Sequence, residues 1–140
     1  MSGTSALVYP VMAQLLLTFV MMSLTGIVRS ASLRRRQVRV AQIALSGEAW
    51  PDDVKKISNN MHNQFETPIL FYVLCGVAIA VGAGGLLMTL LAWAYVGSRV
   101  VHTAIHVTTN RVQHRFFVFA VGFGVLMLMW LAVTVHLIGG

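Results

Sequence analysis

Two short segments of this 140-residue chain hold most of the side chains that could do chemistry. In NNMHNQFETP, residues 59–68, Asn59, Asn63 and Glu66 recur at spacings of four and three. In a later stretch Tyr95, Arg99, His102, His106 and Asn110 recur at four, three, four and four. Both patterns put their members on one face of a helix. A guanidinium grips carboxylates through paired N–H bonds, and amides and imidazoles add donors and acceptors. Such a set binds and orients a polar ligand. His102 and His106 also have the spacing of a helical metal pair, but no cysteine and only one carboxylate accompany them, so no metal is expected. No Ser-His-Asp arrangement, P-loop or dinucleotide fingerprint is present. Any nucleophile must therefore come from a cofactor or a substrate.

The elements that position these faces are membrane spans. The chain is 57% hydrophobic, with a mean hydropathy of +0.77, more apolar surface than a soluble domain of this length could hide. Its 10 Lys and Arg residues all lie between Arg29 and Lys56 or between Arg99 and Arg115. Four apolar runs, about 6–28, 57–81, 86–109 and 116–138, each reach the roughly 20 residues a span needs. The runs are continuous rather than alternating, which argues against a β-barrel. The expected fold is all-α, a four-helix integral membrane bundle forming one domain over 1–140.

Basic loops stay in the cytoplasm, so the loops at about 29–56 and 110–115 mark the inside. Both termini and the GAGG turn at 82–85 then lie on the non-cytoplasmic side. The net charge of +6 faces anionic lipid headgroups rather than nucleic acid. The first run has no basic residue ahead of it and reads as a span, not a cleavable signal. It also carries no charge before Arg29, unlike small proton-coupled exporters, which commonly place a carboxylate in the first helix. The single cysteine, Cys75, lies in mid-span as a small buried apolar residue. These features fit a bacterial inner membrane.

Pro51, Asp52 and Asp53 form a helix start, with proline in the first turn and acids at the positive end of the helix dipole. A helix over about 51–81 follows, kinked at Pro68 because proline cannot donate to the carbonyl of Gln64. Folding the chain about the GAGG turn sets Glu66 between the levels of Arg99 and His102, about 23–28 Å from the turn. An unpaired charge at the helix centre costs about 2.5–3.5 kcal/mol, less near the interface, so Glu66 is expected to pair with Arg99, within or between subunits. Gly76, Ala80, Gly122 and Gly124 would allow close helix approach.

These residues resemble the MAPEG family, the membrane-associated proteins of eicosanoid and glutathione metabolism. The resemblance rests on Asn63, Glu66 and Pro68 in NNMHNQFETP, on RVVHTAIH at 99–106 followed by Arg115, and on Arg29 at the end of the first run. It implies four helices, a homotrimer in the lipid bilayer, and glutathione as cosubstrate between subunits near the cytoplasmic side. It further implies a glutathione-dependent transferase or peroxidase acting on lipophilic substrates. By that resemblance Arg29, Asn63, Glu66 and His102 would bind glutathione and Arg115 would be catalytic; Asn59, Arg99 and His106, on the same two polar faces, are the further candidate binding residues. A guanidinium beside the thiol favours the thiolate, which is the nucleophile. The chain departs from the family pattern at several positions. Lys56 and Asn59 stand where well-studied members have arginines, Gln64 where one has an aspartate, and His106 where a tyrosine occurs. Phe116 and Phe119 replace a serine and a tyrosine. These departures motivate the alternative of a non-catalytic accessory subunit that keeps the fold.

Overall fold

In a computed structural model, which describes residues 6–139, the chain is helical throughout its regular structure. Helix α1 spans Val8–Arg34, α2 Val40–Ile43, α3 Asp52–Asn63, α4 Thr67–Ala80, α5 Leu86–Val107 and α6 Val112–Gly139. Three stretches are long and apolar enough to cross a membrane: Val8–Arg34, Asp52–Ala80 (α3 and α4 together) and Val112–Gly139. Helix α5, with 22 residues, would span about 33 Å, but Arg99, His102 and His106 lower its hydropathy.

The burial pattern is the reverse of a soluble protein's. On α1 the buried stripe is Pro10, Gln14, Thr18, Met21, Thr25 and Ser32, while Leu16, Phe19 and Ile27 are about 60% exposed. Water would penalise that arrangement and lipid favours it. The hydroxyls of Thr18 and Thr25 bond back to the carbonyls of Gln14 and Met21, 3.1 and 2.8 Å away, so they need no outside partner. Helix α6 likewise buries only a narrow stripe, Gly122, Leu126, Met129 and Val133.

Helix α5 is the exception and lies at the centre. It packs against α6, α1 and α3, and α4 packs against α6. Its buried face runs from Met88 and Ala92 through Tyr95 and Arg99 to His102, Thr103 and His106. The half of this face nearer the GAGG turn meets Phe71, Cys75, Leu126 and Met129 in the main apolar core. Phe71 and Tyr95 stack there, with ring centroids 4.7 Å apart. A second cluster of Val38, Trp50 and Val54 fastens the long basic loop against Val28 and Leu33.

The expected single helix over 51–81 is two helices. Helix α3 ends at Asn63, residues 64–66 form a turn, and Pro68 sits in the first turn of α4. Proline there removes an N–H that no carbonyl would have received. The kink expected at Pro68 is thus a full break three residues earlier, and the freed carbonyls belong to the last turn of α3. Gln64 N bonds Met61 O at 3.0 Å, Phe65 N bonds His62 O at 2.9 Å, and Arg99 takes the carbonyl of Asn63.

Candidate functional site

The break between α3 and α4 is held by side-chain amides. Gln64, fully buried, donates from Nε2 to Asn60 Oδ1 and to Thr103 Oγ1, each at 3.1 Å. Its Oε1 accepts from Gln14 Nε2 at 3.1 Å. Asn60 Nδ2 lies 3.3 Å from His106 Nδ1, and Asn63 Nδ2 lies 3.4 Å from the same atom. Three helices therefore share one polar lattice. A buried polar group left without a partner is costly, so these bonds favour the way α1, α3 and α5 meet. Next to it Tyr95 donates to Thr67 Oγ1 at 3.0 Å, tying α5 to the first turn of α4.

Within one subunit the expected Glu66–Arg99 pair does not form. Arg99 is buried and donates from Nη2 to the carbonyl of Asn63 at 3.0 Å. The helix break explains the difference, because it frees that carbonyl and turns Glu66 outward to an exposed position. Among the described residues the ion pair present is Lys55 with Asp52 at 3.5 Å, both near the surface.

Two cavities flank Arg115 at the start of α6. The first, about 270 Å³, is lined by Asn63, Glu66, His102 and Arg115 with Val112, Phe116 and Phe119. The second, about 260 Å³, is lined by Asp52, Lys55, Lys56, Asn59, His106, Asn110 and Arg115. Arg115 is common to both. Asn110 holds it, its Oδ1 accepting from Nη1 at 2.7 Å, while Nε is buried without a partner. Asn110 ends α5 in a left-handed conformation (φ 51°) that asparagine tolerates better than other side chains, and its N–H reaches Ile105 O at 2.7 Å. The turn between α5 and α6 is thus shaped to aim an amide oxygen at the guanidinium. His102 presents a second buried, unpartnered atom, Nδ1, beside the first cavity.

Asn63, Glu66, His102 and Arg115 therefore meet in one cavity, and Asn59, His106 and Arg115 in the other. Arg99 lies behind them as a buried brace. Arg29 lines neither cavity; its Nε donates to Ser58 Oγ at 3.1 Å and its guanidinium lies 5.5 Å from the Trp50 ring centre. Sequence reasoning passed over Asn60, Gln64 and Thr103. The signal was present: Gln14 interrupts an apolar run, and a polar residue at that depth requires a partner from another helix. Asn60 and Gln64 share the four-residue spacing that puts them on one face.

The model of the MAPEG family matches residues 7–135. The chain belongs to the MAPEG family. The match contains every candidate site residue named above. MAPEG membership and the three long apolar helices together make this an integral membrane protein. No curated protein and no solved structure matches the chain. The lattice of Gln14, Asn60, Gln64 and His106 is thus a feature of this MAPEG chain read from its own geometry.

Proposed function

We propose that this MAPEG protein is a glutathione-dependent transferase or peroxidase acting on lipophilic substrates, working as a homotrimer of four-span subunits. The observation that supports it most is the placement of Arg115. A partly buried guanidinium with a free Nε adjoins two polar cavities whose walls include Asn63, Glu66, His102, Asn59 and His106. Glu66 suits the ammonium of glutathione, and Lys56 suits a carboxylate. Arg115 stabilises the thiolate, the form that attacks. In conjugation the sulfur forms a bond to an electrophilic carbon while that carbon's bond to its leaving group breaks and the leaving group departs as an anion. In peroxide reduction the sulfur takes one peroxide oxygen as the O–O bond breaks, the alcohol leaves with a proton, and a second glutathione displaces water from the sulfenic acid to give the disulfide. Phe116 and Phe119 give the first cavity an apolar wall for the lipophilic partner.

The trimer is supported by what a single subunit leaves open. Glu66 is exposed, and Phe116, also on the first cavity, is 71% exposed. A neighbouring subunit would cover both. In this proposal the site lies at the cytoplasmic face of a bacterial inner membrane with both termini opposite, an orientation that the basic loops support.

Calorimetry with the detergent-purified protein tests the reading. Saturable glutathione binding is expected, weakened by both Arg115→Ala and Glu66→Gln. Loss of one charge-assisted bond predicts about a tenfold rise in Kd for each. No heat from an intact oligomer would favour the second reading, a non-catalytic accessory subunit. That reading is supported by Phe116 and Phe119, which supply no hydroxyl to the cavity, and by the engagement of Arg29 with Ser58 and Trp50.

A further inference from the structure

His106 is contacted at one ring nitrogen by two amides. Asn60 Nδ2 and Asn63 Nδ2 both face its Nδ1, at 3.3 and 3.4 Å. The direction of these bonds follows from the neighbours. Gln64 Nε2 lies 3.5 Å from the backbone carbonyl of Asn60, where an amide oxygen would face another oxygen. The NH₂ end of Gln64 must therefore point there, and it also donates to Asn60 Oδ1. With Oδ1 so engaged, Asn60 turns its own NH₂ to His106. An amide NH₂ only donates, so Nδ1 must accept. A neutral imidazole that accepts at Nδ1 carries its proton at Nε2. The ring lines the second cavity together with Lys56, Asn59, Asn110 and Arg115.

We propose that Asn60 and Asn63 are positioning residues that hold His106 as the Nε2–H tautomer, so that it donates a hydrogen bond to an anionic ligand atom beside Arg115. Resting on the glutathione reading above, that atom is the thiolate sulfur. The ring then supplies a neutral N–H donor, and Arg115 supplies the charge. Asn60 lines neither cavity beside Arg115 and acts through the ring; Gln64, anchored to α1 through Gln14, keeps Asn60 turned the right way.

The tautomer is measurable without any ligand. Nitrogen NMR of histidine-labelled protein in detergent, at a pH where the imidazole is neutral, distinguishes Nε2–H from Nδ1–H. The His106 signals are assigned by their loss in His106→Gln. The wild type is expected to carry its proton on Nε2. In Asn60→Asp the new carboxylate accepts, so Nδ1 is expected to gain a proton and glutathione Kd to rise about tenfold. A wild-type proton on Nδ1 would overturn the proposal, as would an unchanged ring in folded Asn60→Asp. If Asn60→Asp does not fold, the wild-type spectrum decides. Absence of glutathione binding by the wild type would instead overturn the thiolate as acceptor, while the spectrum would still decide the tautomer.

Discussion

At the scale of single residues, Asn110 does two jobs that can be separated. Its left-handed backbone closes α5, and its side chain holds Arg115. Asn110→Gly keeps the backbone conformation free of strain and removes the amide. Asn110→Ala removes the amide and also forces a Cβ into the left-handed region, at a cost of about 1–2 kcal/mol. Thermal unfolding in detergent should therefore find Asn110→Gly close to wild type and Asn110→Ala clearly lower. Glutathione calorimetry should find both weakened, since Arg115 loses its tether in each. Equal melting points for the two variants would show that the turn carries no conformational strain. Arg115 was singled out in the sequence through the family resemblance, as the arginine that begins an apolar run. Its tether was not, because Asn110 counts as one more member of a helical face until the chain is seen to leave the helix after Val107.

At the scale of elements, the close approach of α5 and α6 depends on one glycine. A Cβ built on Gly122 would lie 2.7 Å from Ser98 Oγ, and that hydroxyl is committed to Tyr95 O at 2.6 Å. Gly76 and Gly124, equally small, have nothing within 4 Å. Gly122→Ala should destabilise by about 1–3 kcal/mol, the usual cost of overpacking. Ser98→Ala removes the offending oxygen and leaves a Cβ 3.6 Å away, an ordinary contact. The double variant should recover most of the loss in chemical denaturation, with coupling visible in a double-mutant cycle. Additive losses would mean that the two helices touch elsewhere. Among the four small residues the sequence pointed to, composition alone offered no way to pick Gly122. The apolar runs behind α1, α4, α5 and α6 were readable from hydropathy, and α3 from its proline and two acids. The break at Gln64–Glu66 was misread because proline drew the disturbance to itself. Buried amides, which form their bonds only in the folded chain, decide where α3 stops.

At the scale of the whole molecule, the polar face of α5 poses a question that burial resolves. Arg99, His102 and His106 depress its hydropathy, yet all three are buried among neighbouring helices and do not meet lipid. A span whose polar groups point inward can cross a bilayer that its average composition would discourage. If α5 crosses, the GAGG turn and the α5–α6 turn lie on opposite sides of the membrane, and the α5–α6 turn shares a side with the basic loop. Replacing buried Cys75 by alanine provides a background for single-cysteine reporters at the exposed positions Ser46, Gly85 and Gln113. A membrane-impermeant maleimide applied to sealed inverted vesicles should label Ser46→Cys and Gln113→Cys but spare Gly85→Cys; right-side-out vesicles should give the reverse. Labelling of Gly85→Cys and Gln113→Cys from the same side would mean that α5 does not span. The cavities around Arg115 would then no longer be forced onto the face of the basic loop, the face from which the proposed function needs glutathione to enter.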